Sequence, residues 1–214
     1  MRAAHRASAR RVRQALAGRG PARRDVFVEA LRQVPTEVRD AWVDEVFGLD
    51  GIAEDQSLPR GCVGYLPCAT STVLRVVAEL GVTEGDVFVD IGSGAGRVTA
   101  LVHLVTGAGC VGLEIQPHLA RAAERLSARL RLTRAPTVVG DAVETLPSME
   151  IGTVFFLYCP FGGDRIAETF AALRDIARAR PIRICAVNLP VPPQPWLTPI
   201  DSSGVDVELY ASVE

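Results

Sequence analysis

The chain of 214 residues is 48% hydrophobic and carries a formal net charge of −2 at pH 7. This length and composition predict one α/β domain with a sizeable core and a short extension. The nearly balanced charge argues against nucleic acid as a partner, and no stretch approaches the roughly 20 apolar residues that span a bilayer. The five cysteines include no C-x-x-C pair, so we expect neither a disulfide framework nor a metal site, and a reducing, cytoplasmic compartment.

Residues 1–24 are rich in arginine and alanine and contain no acid. This composition fits a transit peptide, a basic arm for nucleic acid or a solvated tail. We predict a basic, flexible tail that is frayed or weakly helical, because chain termini are often poorly ordered. Every basic residue of the chain is arginine, so no lysine is available as a base or nucleophile.

Residues 25–63 are predicted to form a helical N-terminal extension and a connector. Apolar residues recur with helical spacing from Val26 to Val34, and Pro35 opens a second apolar pattern that stops at Gly48. This pair of helices could cap a ligand pocket of the following domain, or it could serve only as a packing lid. The sequence leaves both alternatives open.

Residues 64–214 are predicted to form the main domain, and its most informative stretch follows the apolar run Val87–Val89. Asp90 precedes a loop with glycine at positions 92, 94 and 96, and a helical pattern starts at Arg97. This order predicts a buried parallel strand, a tight turn and a helix N-terminus whose free N–H groups face a ligand.

The chemistry of this loop discriminates between two kinds of ligand. A dinucleotide site needs its third glycine where this chain has Arg97. The carboxylate of Asp90 would repel a pyrophosphate but suits a ligand that carries an ammonium or a sulfonium. S-adenosylmethionine carries both groups, so we predict it as the cofactor.

Two further acids follow predicted strands. Glu114 ends the apolar run that begins at Cys110, about 20 residues beyond the glycine loop, which is the spacing at which an acid reaches a ribose diol. Asp141 and Ala142 follow the short strand 137–140, and the alternative for Asp141 to a ligand-binding role is a helix N-cap.

The fourth predicted strand, 152–158, ends in a turn that contains Tyr158, Pro160 and Phe161. Ligands of open α/β sheets bind beyond the carboxyl ends of the strands. We therefore predict that these three residues line the place where the methyl group is transferred, with an aromatic ring against the acceptor; a core position is the alternative for Tyr158.

The remaining pattern predicts a helix over 164–179, a fifth strand over 182–188 and a final antiparallel strand over 205–213. Residues 190–199 carry five prolines and cannot form a helix. The predicted fold is an open, mostly parallel Rossmann-like α/β sheet with a C-terminal antiparallel strand.

The motif D-x-G-x-G-x-G after an apolar strand resembles the cofactor loop of class I S-adenosylmethionine-dependent methyltransferases, and the likeness runs from about Gly64 to Phe170. Thr70-Ser71 and the run ending in Glu114 are similar to protein-lysine methyltransferases of the Dot type. The segment Tyr65-Leu66-Pro67-Cys68 resembles the Tyr-x-Pro-Thr entry of small microbial lysine methyltransferases, with cysteine in place of threonine.

The resemblance implies a set of cofactor-binding residues. Asp90 and the backbone of the loop would hold the methionine part, Thr70 would reach its carboxylate or amino group, and Glu114 would bind the ribose. Asp141 would accept from the adenine amino group. The full predicted set is Tyr65, Thr70, Asp90, Gly92, Gly94, Gly96, Arg97, Glu114, Gln116, Asp141 and Ala142.

Two members of this set have alternatives. Gln116 either borders the adenine ring or lies in a solvated loop. Arg97 either pairs with the cofactor carboxylate or with Asp90, or it lies at the surface.

These observations predict an enzyme that methylates a nitrogen of a protein lysine or another amine. His5 lies in the tail, and His103 and His118 fall on helices that flank the sheet, so no base is placed for a hydroxyl acceptor. The alternatives are a small-molecule O- or N-methyltransferase, a non-catalytic cofactor-binding module, and a nicotinamide-dependent oxidoreductase, which the displaced third glycine disfavours.

Overall fold

A computed structural model of the protein describes residues 3–18, 23–52 and 58–213. Parts of the predicted tail (1–2 and 19–22) and of the predicted connector (53–57) lie outside the described residues. The described residues form eight α-helices and seven strands. The helices are α1 (Ala3–Ala17), α2 (Arg23–Gln33), α3 (Thr36–Phe47), α4 (Thr70–Glu79), α5 (Arg97–Thr106), α6 (Pro117–Leu130), α7 (Ala142–Thr145) and α8 (Asp164–Ala179). The strands are β1 (Val87–Ile91), β2 (Gly109–Glu114), β3 (Thr137–Val139), β4 (Val154–Tyr158), β5 (Arg183–Val187), β6 (Leu197–Ile200) and β7 (Val207–Ser212).

All seven strands belong to one sheet in the order β3-β2-β1-β4-β5-β7-β6. The first five strands are parallel, whereas β7 runs antiparallel to β5 and β6 antiparallel to β7. The predicted Rossmann-like fold with a C-terminal antiparallel strand is therefore confirmed. Strand β6 was not predicted; it contains Pro199, which is tolerated because β6 is an edge strand.

Helices cover both faces of the sheet. Phe88 and Phe156 belong to the core shared with α4, α5 and the N-terminal helices. Val89 and Phe155, their neighbours along β1 and β4, belong to the core shared with α8. This alternation explains why the central strands read as continuous apolar runs, since parallel strands are buried on both sides.

The prediction of a flexible tail is wrong for the part that the structure describes. Residues 3–17 form α1, and Ala9, Val12 and Leu16 are buried against the neighbouring helices. Positions i, i+3 and i+7 lie on one helix face, so three apolar residues suffice to dock this helix. Arginine also holds it, because the Arg131 Nε donates to the Ala17 carbonyl at 2.7 Å, at the end of α1.

The predicted pair of N-terminal helices is confirmed as α2 and α3. Helix α3 ends at Gly48, which adopts a left-handed φ of +64° and donates its N–H to the Asp44 carbonyl. Both helices pack against the core that covers one face of the sheet. Among the described residues no helix is long and apolar enough to cross a membrane.

Candidate functional site

A cleft opens at the carboxyl ends of β1, β2 and β4. It lies where the sheet order changes direction along the chain, which is the place at which open α/β sheets bind ligands. Most of its walls come from residues 62–66, the glycine loop after β1, residues 113–116 and 140–142, and residues 158–161 with Arg165.

Two glycines of the loop touch this cleft and require the absence of a side chain. Gly92 and Gly94 have φ values of +82° and +54°, in the region that favours glycine. A Cβ atom on Gly92 would lie 2.7 Å from the Pro160 Cβ, and one on Gly94 would lie 2.3 Å from the Tyr65 ring. The loop therefore passes closely between both walls of the cleft, as predicted for a backbone that approaches a ligand.

Glu114 ends β2 and is tied to the glycine loop. Its Oε2 accepts the Gly94 N–H and its Oε1 accepts the Gln116 N–H, both at 2.7 Å. A carboxylate has about four acceptor positions, so Glu114 can also accept hydroxyl groups of a ligand. Gln116 is 8% exposed and lines the cleft, so the alternative of a solvated loop is wrong.

Asp141 lines the cleft and makes two interactions. It is the N-cap of α7, since its Oδ1 accepts the Val143 N–H at 3.0 Å. The guanidinium of Arg165 donates to both of its oxygens, at 2.8 and 2.5 Å. These hydrogen bonds from Arg165 hold the pKa of Asp141 below its usual value. Ala142 follows it in the wall of the cleft.

Arg165 was missed by the sequence interpretation. It comes from the first turn of α8 and meets Asp141 only because α8 packs beside α7. No motif marked it, since an arginine in an amphipathic helix is ordinarily a solvated residue. Its position nevertheless puts a cation into the wall of the cleft.

Asp90 lies beneath the loop rather than in the wall of the cleft. It is the fourth of the five residues of β1 and is 2% exposed. Its Oδ2 has no hydrogen-bond partner among the described residues. Burial, with a smaller contribution from the negative charge of Glu114, raises the pKa of Asp90 to about 8. The carboxyl group is thus neutral at pH 7 and ready to ionise when a cation comes near.

Like Asp90, three further predicted cofactor residues do not line the cleft. Gly96 is the N-cap of α5 and packs against α6. Thr70 is fully buried, and its Oγ1 accepts from the Arg97 Nη2 at 3.0 Å. Arg97 is 3% exposed and pairs with Asp40 and Asp44 of α3. The predictions that Arg97 pairs with Asp90 or lies at the surface are wrong, because α3 supplies closer acids.

The structure brings the three residues predicted to line the place of methyl transfer into the same cleft as Tyr65. Tyr158, Pro160 and Phe161 all line the cleft. Tyr158 is only partly buried and is hydrogen-bonded to the side chain of Asn188, at the end of β5. Sequence interpretation missed Asn188, which was assigned only as the last residue of a strand.

A short pairing of two chain segments closes this side of the cleft. The Val63 N–H donates to the Pro160 carbonyl at 3.0 Å, and the Gly162 N–H donates to the Gly61 carbonyl at 2.9 Å. This pairing holds the segment around Val63 over the end of β4.

Among the residues that the structure describes, the acceptor side holds no group that would act as a base near neutral pH. Burial raises the pKa of Tyr65 to about 12, and burial also raises the pKa values of Tyr158, Cys62 and Cys159. None of the three histidines, all within the described part of the chain, lines the cleft. Nor do the described residues contain a group of three metal-ligating side chains.

Comparisons with known proteins agree with this geometry. Residues 64–135 match the family model described as histone methylation protein DOT1. The cofactor-bound protein Rv0187 from MTB is 19% identical, with 92% of this chain and 98% of that chain covered and a TM-score of 0.56. An RNA methyltransferase from Salinibacter ruber, in complex with S-adenosyl-L-homocysteine, is 23% identical, with 69% and 92% covered and a TM-score of 0.55. No curated protein sequence matches significantly.

At these identities the structural likeness shows a shared fold. The fold is that of class I S-adenosylmethionine-dependent methyltransferases, and the matched segment contains the glycine loop and Glu114. The prediction of a class I methyltransferase fold is thereby confirmed.

Proposed function

We propose that the protein transfers the methyl group of S-adenosylmethionine to an amine nitrogen, with a protein lysine as the favoured acceptor. One observation carries this proposal. A single cleft joins an acid-lined half around the glycine loop to an aromatic half in which no described group would accept a proton at neutral pH.

The residues of the acid-lined half fit the cofactor. Gly92 and Gly94 form a cradle that a Cβ atom would fill, and Asp90 has a buried oxygen to which none of the described residues is hydrogen-bonded. In the proposed arrangement Asp90 compensates the positive charge of the ligand, Glu114 accepts from its ribose hydroxyls, and Asp141 with Ala142 borders its adenine. When bound, the cofactor supplies a methyl group that is already activated on a sulfonium.

The aromatic half suits an amine that is neutral when it reacts. Removal of an ammonium from water favours its neutral form, and the side chains of Tyr65, Tyr158 and Phe161 provide such an environment. A lysine side chain brings an apolar stem that can lie against these rings. The protein then mainly aligns the two reactants, a contribution that can be large without any proton transfer.

The family match supports a protein acceptor. The matched model is named for histone methylation, and it covers the segment that includes Tyr65 and the glycine loop. The structural neighbours include an RNA methyltransferase, but among the described residues the wall of the cleft contains only one cation, Arg165, and that cation is paired with Asp141. A phosphate backbone would therefore find little positive charge at this cleft.

The acceptor class can be tested with methyl-tritiated S-adenosylmethionine and cell lysate. Half of the lysate is first treated with acetic anhydride, which blocks its amines. The protein itself contains no lysine, so label on lysine must come from another molecule. We expect labelled protein in the untreated half, loss of label in the acetylated half, and methyl-lysine after hydrolysis.

A variant with Glu114→Gln serves as the control for background transfer. Equal label in the acetylated and untreated halves would contradict an amine acceptor. Binding of S-adenosylmethionine without any transfer in either half would favour a non-catalytic module.

A further inference from the structure

Arg97 is a charged residue whose side chain is almost completely buried. It is the first residue of α5, directly after the glycine loop, and only 3% of it is exposed. A buried guanidinium is costly unless all of its hydrogen bonds are made and its charge is paired. The positions of its partners therefore indicate what this residue holds in place.

The partners of Arg97 come from two separate parts of the chain. Its Nη1 donates to the Cys68 carbonyl and its Nη2 to the Thr70 hydroxyl, just beyond the cleft wall that contains Tyr65. Its Nη2 also donates to Asp40 at 2.9 Å, and its Nε donates to Asp44 at 2.7 Å.

The two acids lie one turn apart on α3. Asp40 makes a second link, because its Oδ1 accepts the Thr70 N–H at 2.7 Å and so holds the start of α4. Both carboxylates keep part of their surface in solvent. Helix α3 itself contributes nothing to the walls of the cleft.

We propose that Arg97, Asp40 and Asp44 form a positioning clamp through which α3 sets the shape of the cofactor cleft. The clamp joins the end of the glycine loop to the chain that carries Tyr65, and Tyr65 packs within contact distance of Gly94. The N-terminal helices are thus more than a packing lid: their acids determine how closely the loop approaches the opposite wall. This inference rests on the proposed function only where it concerns cofactor affinity.

The clamp makes a prediction that a purely stabilising ion pair does not make. Loss of an acid on α3 should loosen the glycine loop locally and weaken the binding of a ligand that α3 never touches. Loss of a purely structural ion pair would lower the free energy of unfolding. It would leave the mobility of the glycine loop and the ligand affinity of the folded protein unchanged.

The test compares Asp44→Asn and the double variant Asp40→Asn/Asp44→Asn with Glu45→Gln. Glu45 is a matched control, because it lies on the same helix and pairs with Arg10 and Arg13 of α1. Both acids of the clamp are partly exposed, so their amide variants are expected to fold. Circular dichroism verifies folding, hydrogen exchange reports on residues 92–98 without ligand, and calorimetry measures the Kd for S-adenosyl-L-homocysteine.

We expect faster exchange of residues 92–98 in both clamp variants and a Kd raised by about tenfold, while Glu45→Gln behaves as wild type. Exchange that is unchanged in the double variant would overturn the clamp. Exchange that responds as predicted, in a wild-type protein that binds no S-adenosyl-L-homocysteine, would uphold the clamp and contradict the proposed function instead.

Discussion

The buried carboxyl group of Asp90 should make the stability of the protein depend on pH in an unusual direction. Burial and the nearby charge of Glu114 raise the pKa of Asp90 from 3.8 to about 8. Between these two values the folded protein keeps the proton that the unfolded chain has lost. The contribution of Asp90 to stability is therefore fully present below pH 4 and is lost as the pH rises through 8.

The size of this effect follows from the two pKa values. Each pH unit between them changes the free energy of unfolding by about 1.4 kcal/mol. Over the whole interval the wild-type protein should lose about 6 kcal/mol of unfolding free energy relative to Asp90→Asn, whose amide resembles the protonated acid in shape but does not titrate.

Urea unfolding, followed by circular dichroism from pH 5 to 8.5, measures the part of this difference that lies above pH 5, about 4 kcal/mol. Asp86→Asn is the control, because Asp86 directly precedes β1 and titrates in the opposite sense. Burial alone would raise the pKa of Asp86, but hydrogen bonds from Thr83 and Thr153 and the charge of Arg183 lower it. The contribution of Asp86 to stability is lost only as the pH falls below 3.8. The difference in the free energy of unfolding between wild type and Asp86→Asn should therefore stay constant from pH 5 to 8.5. A constant difference for Asp90→Asn as well would refute the reasoning.

Three further predictions concern the glycine loop, helix α1 and the pair of Asp141 with Arg165. Gly94→Ala should abolish detectable binding of S-adenosyl-L-homocysteine in calorimetry, because its Cβ would lie 2.3 Å from Tyr65. The control Gly162→Ala meets no atom within 4 Å and should bind normally. Equal affinities would show that the close approach of Gly94 to Tyr65 is unimportant for binding. Leu16→Ala should lower the free energy of unfolding by about 2–5 kcal/mol in urea titrations, since Leu16 is fully buried, and a value near zero would mean that α1 does not dock in solution. A double-mutant cycle of Asp141→Asn and Arg165→Gln, read out by thermal unfolding, should give a coupling of about 0.5–3 kcal/mol because the pair is bidentate; additive effects would contradict that contact.

Residues whose position follows from local pattern were predicted well. Runs of β-branched and aromatic residues marked β1, β2 and β4, and acids or glycines directly after them had to meet at one edge of a parallel sheet. Gly92, Gly94, Glu114 and Asp141 line the cleft for this reason. The same rule brought the residues after β4 to the opposite wall.

Residues whose position depends on distant partners were not predictable in this way. The acids that hold Arg97 lie 53 and 57 residues away on α3, and nothing in the local sequence distinguishes them from solvated charges. Helix α1 was read as a tail because it is rich in arginine and alanine and has only two larger apolar side chains, Val12 and Leu16. Those arginines are explained only by the fold, in which Arg13 donates to the Val46 carbonyl near the end of α3.

The most direct measurement is calorimetric titration of the protein with S-adenosylmethionine at pH 7, in two buffers of different ionisation enthalpy. The account predicts binding of one molecule with release of a proton, because a cationic ligand ionises Asp90, and binding without proton release for Asp90→Asn. Absence of heat with both S-adenosylmethionine and S-adenosyl-L-homocysteine, or binding of a nicotinamide dinucleotide in their place, would contradict it.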